Sequence, residues 1–415
     1  MNAHGVEVFV RFVLVGHACL ATLFTLVTAV SVLVSAWQRR RSRSSTDAPL
    51  PDVVLLRPAE RVDLRTATAW ANDASSYRGR VLRIVCLPSR AGVEAPVLDA
   101  LGDAQLAVSD LADDTPINRK VAHLEAGLRH ARALGRVDGR TIVVHADADV
   151  VLAKDSLDEL VMPLVIDPKT GLSFAAPSPH GGSALASLLA KAILAASPQA
   201  FAALFALSRV TASAPAIAGK LVAVPVRVLD AVGGYARIAS TIAEDIELVE
   251  AVHEAGFAIA MAPRAVETRD DSRTLSALLA QLTRWVRVAS SHRPGLLFTY
   301  PLFVAPLAAC LAFTIVAGIF QRLAGNPIAP IVAPLAALGL ARLLLALALA
   351  ATHYGGAAAR SICLAPFAFV AGDLAVMVGV VRALRPAPIR WAGRRYRIGR
   401  GGRIEACTPE NAQSA

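Results

Sequence analysis

Two long uncharged stretches bracket a polar middle, and they confine this chain to a membrane-attached architecture. Residues 12–37 contain no formally charged side chain. As a helix this run is about 39 Å long, more than the ~30 Å hydrocarbon core. It reads as an N-terminal transmembrane helix over 8–37. A cleaved signal peptide would have a shorter apolar core with its basic residues in front. Here they follow, as Arg39, Arg40, Arg41 and Arg43. That order puts the N-terminus outside and residue 40 onward in the cytoplasm.

The second block begins at Pro294. Residues 294–320 are uncharged, 323–359 contain only Arg342, and 361–381 contain only Asp373. Three membrane segments are expected over 294–381, near 298–320, 328–351 and 361–381. A basic tail, 382–415, follows, with Arg382, Arg385, Arg390, Arg394, Arg395, Arg397, Arg400 and Arg403. Three crossings would leave this tail outside, while the positive-inside rule wants it inside. Either one segment is re-entrant or the tail breaks the rule. Arg342 and Asp373 read as an intramembrane ion pair, or as an arginine snorkelling to an interface.

Composition removes the remaining classes. Charged residues make up 18% of the chain, hydrophobic residues 55%, and the mean hydropathy is +0.52. Disordered chains are polar and charged, so disorder is excluded for most of the length. Cys19, Cys86, Cys310, Cys363 and Cys407 are scattered without metal-ligand or disulfide-framework spacing. The net charge of +10 sits beside the apolar segments, which argues for a membrane surface and against nucleic acid.

Residues 50–290 alternate strand-like and helix-like runs. The strands fall at 53–57, 81–87 and 141–149, with a helix at 121–135 closed by Gly135. This alternation implies an α/β fold, a mostly parallel sheet with ligands at the C-terminal ends of its strands. Neither GxGxxG nor a P-loop is present. Residues 184–207 are apolar with one lysine and are interrupted by Pro198. They read equally as an interfacial helix pair lining a lipid groove or as an alanine-rich core helix.

Three acidic or basic clusters carry chemistry. His145-Ala146-Asp147-Ala148-Asp149 follows a strand. Carboxylates at i and i+2 on extended backbone point the same way and suit a hard divalent cation that also grips a diphosphate. Loop capping is the alternative. Glu244-Asp245 opens a helix, where a carboxylate is either a cap stabilised by the helix dipole or a general base. Gln281, Arg284 and Trp285 share one helical face just before the membrane. Such an arginine can grip a diphosphate, and such a tryptophan can stack or anchor at the interface. Asn118-Arg119-Lys120 adds cations at a helix start, and Gly219-Lys220 and Gly233-Gly234 mark tight backbone.

The order D-x-D, E-D, Q-x-x-R-W, membrane resembles inverting glycosyltransferases of the GT-A fold, families 2 and 21. It is most similar to ceramide glucosyltransferases. The helix start at Asn118, the stretches 219–234 and 243–248 and the basic run 381–402 add to the likeness, which covers Val53 to Gly402. The resemblance implies a GT-A, Rossmann-like domain between an N-terminal transmembrane helix and a C-terminal helical membrane region. It implies that Asp147 and Asp149 hold Mg²⁺ or Mn²⁺ on a UDP-sugar, with Lys120 beside the nucleotide. Asp245 would be the catalytic base. Gln281, Arg284 and Trp285 would close over the donor and help seat the acceptor. Asp63 matches the family. Two positions depart from it. Ser89 stands where an aspartate that helps hold the nucleotide is usual, and Arg119 stands where proline is usual.

The implied reaction is inverting transfer of a hexose, glucose from UDP-glucose, to the primary hydroxyl of a membrane lipid, ceramide. A metal-bound diphosphate needs no protonation on leaving, so one base is enough. One rival is a hopanoid acceptor with UDP-N-acetylglucosamine, suggested by Arg293-Pro294-Gly295 after Q-x-x-R-W. More distant rivals are a processive polysaccharide synthase and an inactive membrane scaffold.

Overall fold

The computed structural model describes residues 3–43, 50–71, 76–91, 93–111, 115, 117–180, 201, 204–208, 211–269, 274–299, 301, 304–323, 325, 329–352, 366–385, 387–391 and 393–409. The chain opens with helix α1 (Ala3–Arg43). The middle then builds a sheet from β1 (Val53–Pro58), β2 (Val81–Leu87), β3 (Gln105–Val108) and β4 (Ile142–Ala146). It continues through β5 (Val150–Val151), β6 (Thr170–Ala175), β7 (Pro177–His180), β8 (Leu221–Pro225), β9 (Ala258–Met261) and β10 (Val266–Arg269). The helices between them are α2 (Leu64–Ala71), α3 (Ala95–Leu101), α4 (Arg119–Ala133), α5 (Ser156–Ile166), α6 (Val226–Ala231), α7 (Gly234–Ile238) and α8 (Glu244–Glu254).

The main sheet has the order β3-β2-β1-β4-β8-β6-β9. Its first four strands are parallel; β8 runs antiparallel to both β4 and β6. A smaller sheet, β5-β10-β7, lies beyond the end of β4. Every residue of β1 is buried, as expected of a parallel strand covered on both faces. Val54 and Leu56 pack with Leu124 and Leu128 of α4, whereas Val53 and Leu55 pack with Leu157 and Leu160 of α5. Burying each of these side chains contributes about 1.5–3 kcal/mol. The α4 start is capped by Asn118, whose side chain accepts from Val121 N at 3.3 Å. Gly127 lets α4 approach the sheet, since an added Cβ would lie 2.5 Å from Cys86 Sγ. Gly135, at φ +65°, turns the chain away as the sequence requires.

After α9 (Leu275–His292) come α10 (Leu296–Thr299), α11 (Pro306–Leu323), α12 (Ala329–Thr352) and α13 (Pro366–Ala383). Leu14, Ala18 and Ala21 of α1 pack with Leu307, Cys310 and Ala317 of α11 and with Leu338 and Ala346 of α12. The opposite side of α1 exposes Phe9, Phe12, Leu23 and Val30. Among the described residues, two helical stretches, Gly5–Val34 and Pro306–Leu323, are long and apolar enough to cross a membrane; Val332–Ala348 is a shorter apolar stretch. Arg342 and Asp373 are both buried and pair at 3.0 Å, and Asp373 also accepts from Leu307 N at 2.8 Å. The ion-pair reading of these two residues holds in the structure, and the pair ties α12 and α13 to the start of α11.

Helix α13 does not stand apart from the α/β domain. Ala375 and Val376 pack on Leu278, Leu282 and Trp285 of α9. Arg287 of α9 donates to the carbonyls of Arg382 (3.1 Å) and Arg385 (3.0 Å) at the end of α13, where a cation is favourable. Residues 389–409, expected as a basic tail, form an antiparallel sheet: β11 (Ile389–Trp391), β12 (Arg394–Ile398) and β13 (Ile404–Pro409). The reason is a period-two pattern hidden among the arginines. Ile389, Tyr396 and Ile404 turn inward onto Ile242 and Val288, while Arg390, Arg395 and Arg397 face out. Backbone bonds from Ile242 N to Gly402 O (2.9 Å) and from Ile404 N to Ser240 O (2.8 Å) fasten this sheet beside α8. Of the apolar segment 184–207, residues 184–200, 202 and 203 lie outside the described residues.

Candidate active site

Strand β4 ends at Ala146, and the next residues carry the D-x-D pair. Antiparallel pairing of β4 with β8 places Ala146 opposite Leu221, so the turn before β8 meets the loop after β4. Asp147 N donates to Lys220 O at 2.9 Å. Two lysines are thereby brought onto the two aspartates. Lys120 Nζ, from the first turn of α4, lies 2.7 Å from Asp147 Oδ1, 3.0 Å from Glu244 Oε1 and 2.9 Å from Gly219 O. Lys220 Nζ lies 2.7 Å from Asp149 Oδ2 and 3.3 Å from Asp147 Oδ2. Burial alone would raise the Asp147 carboxyl, but Lys120 and Lys220 outweigh it and hold it at about 2. Burial likewise works against the charge on Lys120, yet Asp147 and Glu244 keep its ammonium above the ordinary lysine value.

The acidic loop is held from behind by Arg57 at the end of β1. Its guanidinium donates to the carbonyls of Asp147 and Val150, both at 3.0 Å, and lies 5.1 Å from the Trp70 ring centre. Asp63 acts locally, its carboxylate accepting from Thr66 N at 2.7 Å in the first turn of α2.

Asp245 stands at the start of α8. Its Oδ2 accepts from Gly219 N at 3.0 Å and its Oδ1 from Ile246 N at 2.9 Å. Burial first, and then the neighbouring Glu244, push its carboxyl up to about 6, against the pull of Lys120 and the two amides. A base that is poised near neutral pH is efficient in proton transfer. Gly219 is needed for this contact, because an added Cβ would lie 2.9 Å from Asp245 Cβ. Asn118 fixes the same helix start by donating to Glu244 Oε2 and Thr241 O, both at 3.1 Å.

These residues line one end of a cavity of about 310 Å³. Lys120, Asp147, Lys220, Glu244 and Asp245 give the polar end. Arg284 and Trp285 of α9 line it as well, so the sequence-predicted Lys120, Asp147, Asp245, Arg284 and Trp285 meet in one space. The rest of the wall is apolar: Phe201, Leu204, Ile242, Leu282, Val304 and Val376. Trp391 of β11 and Asp373 of α13 also reach it. Asp149 sits beside the cavity in its pair with Lys220. Gln281 is partly exposed on α9 and is not among the lining residues. Lys220, Arg57 and Trp391 escaped the sequence reading as site residues, and Glu244 entered it only as part of the E-D pair. The one local signal for Lys220 was the Gly219-Lys220 turn, since the β4–β8 pairing that gives it meaning is long-range.

Asp147 and Asp149 suit a hard divalent cation, being carboxylates two residues apart at the end of a buried strand. Lys120 and Lys220 supply the balancing positive charge around them.

The family model for Glycosyl transferase family 21 matches residues 20–404. The chain belongs to this family. As a family 21 member it is a glycosyltransferase with a nucleotide-sugar donor, and its α/β domain is of the GT-A type. Comparison with curated protein sequences gives no match. Among solved structures, the chain is similar to the mannosyltransferase PcManGT from Pyrobaculum calidifontis in complex with GDP-Man and Mn2+. The identity is 19%, the TM-score 0.38, and 89% of this chain and 99% of that one are covered. It is also similar to glucosyl-3-phosphoglycerate synthase from Mycobacterium tuberculosis in complex with Mn2+, uridine-diphosphate and phosphoglyceric acid. Here the identity is 18%, the TM-score 0.38, and the coverage 58% and 78%.

Proposed function

We propose that this family 21 enzyme transfers glucose from UDP-glucose to the primary hydroxyl of ceramide, inverting the anomeric centre. The observation that carries the reading is the shape of the cavity. One end holds Asp245 and the Asp147–Lys120 pair, and the remainder, apart from Arg284, Thr299 and Asp373, is apolar and reaches α13. A polar reacting end with an apolar body fits a lipid that presents a primary hydroxyl on a polar head and carries apolar chains behind it.

In this reading Asp245 takes the proton from the acceptor hydroxyl as that oxygen attacks the sugar. Its amide bonds to Gly219 and Ile246 fix the carboxylate's direction. Mg²⁺ or Mn²⁺, held by Asp147 and Asp149, would stabilise the departing diphosphate. Lys120 and Lys220 neutralise charge beside it, and Arg284 and Trp285 close the wall between donor and lipid.

The docked C-terminal sheet supports one membrane topology. Residues 389–404 pack on residues 240–242, and in this reading the chain returns to the side it left at residue 292. The number of crossings between them is then even. In the proposed topology α11 and α12 cross as a hairpin, and α13 lies at the interface along α9. This arrangement puts the basic C-terminal sheet and the catalytic domain together on the cytoplasmic side, in accord with the positive-inside rule. The enzyme would be an integral, multi-pass membrane protein with α1 as its N-terminal span.

The test is incubation of purified enzyme with labelled UDP-glucose, Mg²⁺ or Mn²⁺ and ceramide, with Asp245→Ala as the control. Label in a ceramide product that vanishes in the control supports the proposal. Transfer to a hopanoid from UDP-N-acetylglucosamine instead would replace both donor sugar and acceptor.

A further inference from the structure

The family resemblance leaves a gap at Ser89, where a nucleotide-holding aspartate is expected. In the structure Ser89 is exposed, and its hydroxyl accepts from Ala91 N at 3.0 Å within a local turn. It faces its own loop. A different carboxylate stands at the same edge of the sheet. Glu60 follows the C-terminal end of β1, as Ser89 follows that of β2. The β1–β2 register pairs Pro58 with Cys86, so two residues further on Glu60 comes level with Pro88, next to Ser89.

The strand order makes this edge a binding crevice. From β1 the chain builds outward through β2 and β3, then returns to place β4 on the other side of β1. Ligands of open α/β sheets bind at the C-terminal ends of strands where the order reverses. At this reversal β4 delivers Asp147 and β1 delivers Glu60. The diphosphate end of a donor belongs with Asp147, which leaves the nucleoside end toward β1 and β2.

Glu60 is oriented to serve that end. Arg119 grips it in bidentate fashion, Nε to Oε1 at 2.7 Å and Nη2 to Oε2 at 3.1 Å. Ser109, at the end of β3, bonds His123 Nδ1 at 2.8 Å, and His123 Nε2 bonds Glu60 Oε1 at 3.3 Å. Arg119 and His123 lie one turn apart on α4 and are buried, whereas the Glu60 side chain stays 31% exposed. The carboxylate therefore keeps an exposed face while its orientation is fixed by Arg119 and His123. Arg119, the second departure from the family pattern, is what does the fixing.

We propose that Glu60 reads the nucleoside of the donor, accepting a hydrogen bond from a ribose hydroxyl or a base N–H, with Arg119 and His123 as its positioning residues. The inference rests on the nucleotide-sugar donor and is independent of the acceptor lipid.

Binding isotherms on purified full-length protein with Mn²⁺ test it, using UDP, GDP and inorganic diphosphate as probes. Glu60→Gln should weaken the nucleoside diphosphate that binds wild type tighter by roughly tenfold or more, the loss of one hydrogen bond to a charged group. Inorganic diphosphate should bind as before. Glu60→Asp, which keeps the charge for Arg119, should weaken only the nucleoside diphosphate, and by less. Ser89→Asp added to Glu60→Gln should recover part of the affinity. Equal weakening of nucleoside diphosphate and diphosphate would make the cluster purely structural. That result, unchanged binding of both, or no nucleoside diphosphate binding by wild type would overturn the proposal.

Discussion

Asp245 should be a residue that the fold would be more stable without. Its carboxyl is raised from 3.8 to about 6 by burial and by Glu244. Keeping it ionised at pH 7.5 therefore costs roughly 3 kcal/mol relative to the unfolded chain. The sign follows from proton counts. Between 3.8 and about 6 the folded state binds more protons than the unfolded state, so stability falls as pH rises through that window. Above it the full penalty applies. Asp245→Asn removes the charge and keeps the shape, but its amide nitrogen must face either Gly219 N or Ile246 N, losing one bond worth about 1 kcal/mol. The net gain at pH 7.5 is about 2 kcal/mol, or on the order of 4–8 °C for a domain of this size. It should shrink by about pH 5 and reverse near pH 4. Turnover of the same variant should drop on the order of 10²–10⁴-fold. The assay is thermal unfolding of purified protein in detergent, metal-free, across this pH range, beside transfer rates at saturating donor. A midpoint at or below wild type at pH 7.5 would refute the electrostatic reasoning, and retained turnover would refute the base assignment.

Other expectations follow from the same geometry. The rate should rise with pH through about 6 as Asp245 ionises, and Lys120→Met should move that rise upward, because Lys120 lowers the Asp245 pKa; pH–rate profiles read both. Gly219→Ala should cut turnover at least tenfold without preventing folding, since its Cβ would sit 2.9 Å from Asp245 Cβ and displace that carboxylate; an unchanged rate would mean the contact is idle. Asp373→Leu should destabilise the helical region by about 3–5 kcal/mol, because it strands buried Arg342, and Arg342→Met in the same chain should restore part of the loss; thermal midpoints in detergent decide.

Much of this molecule was legible because its signals are local. The buried runs at 53–57, 81–87 and 141–149 hold β1, β2 and β4, and Asp147 of the D-x-D, the E-D pair and Arg284-Trp285 line one cavity. What escaped depends on long-range pairing. Lys220 matters because β8 runs antiparallel to β4, and no residue near Lys220 announces that partner. The C-terminal arginines masked the alternation of Ile389, Trp391, Tyr396 and Ile398, since charge dominated the reading of that stretch. Gln281 shares the helical face of Arg284 and Trp285, but the cavity wall does not extend one turn back to include it.

The sheet at 389–409 also sets an order of assembly. A chain leaving the ribosome presents β1 through α9 long before this sheet exists, and three apolar helices must be placed in between. Only then can Gly402 and Ile404 clamp the residues just ahead of Glu244, and Trp391 close the cavity. A nascent or truncated catalytic domain therefore lacks one wall of its reaction chamber. The cavity is therefore completed only after the apolar helices between α9 and β11 have been made.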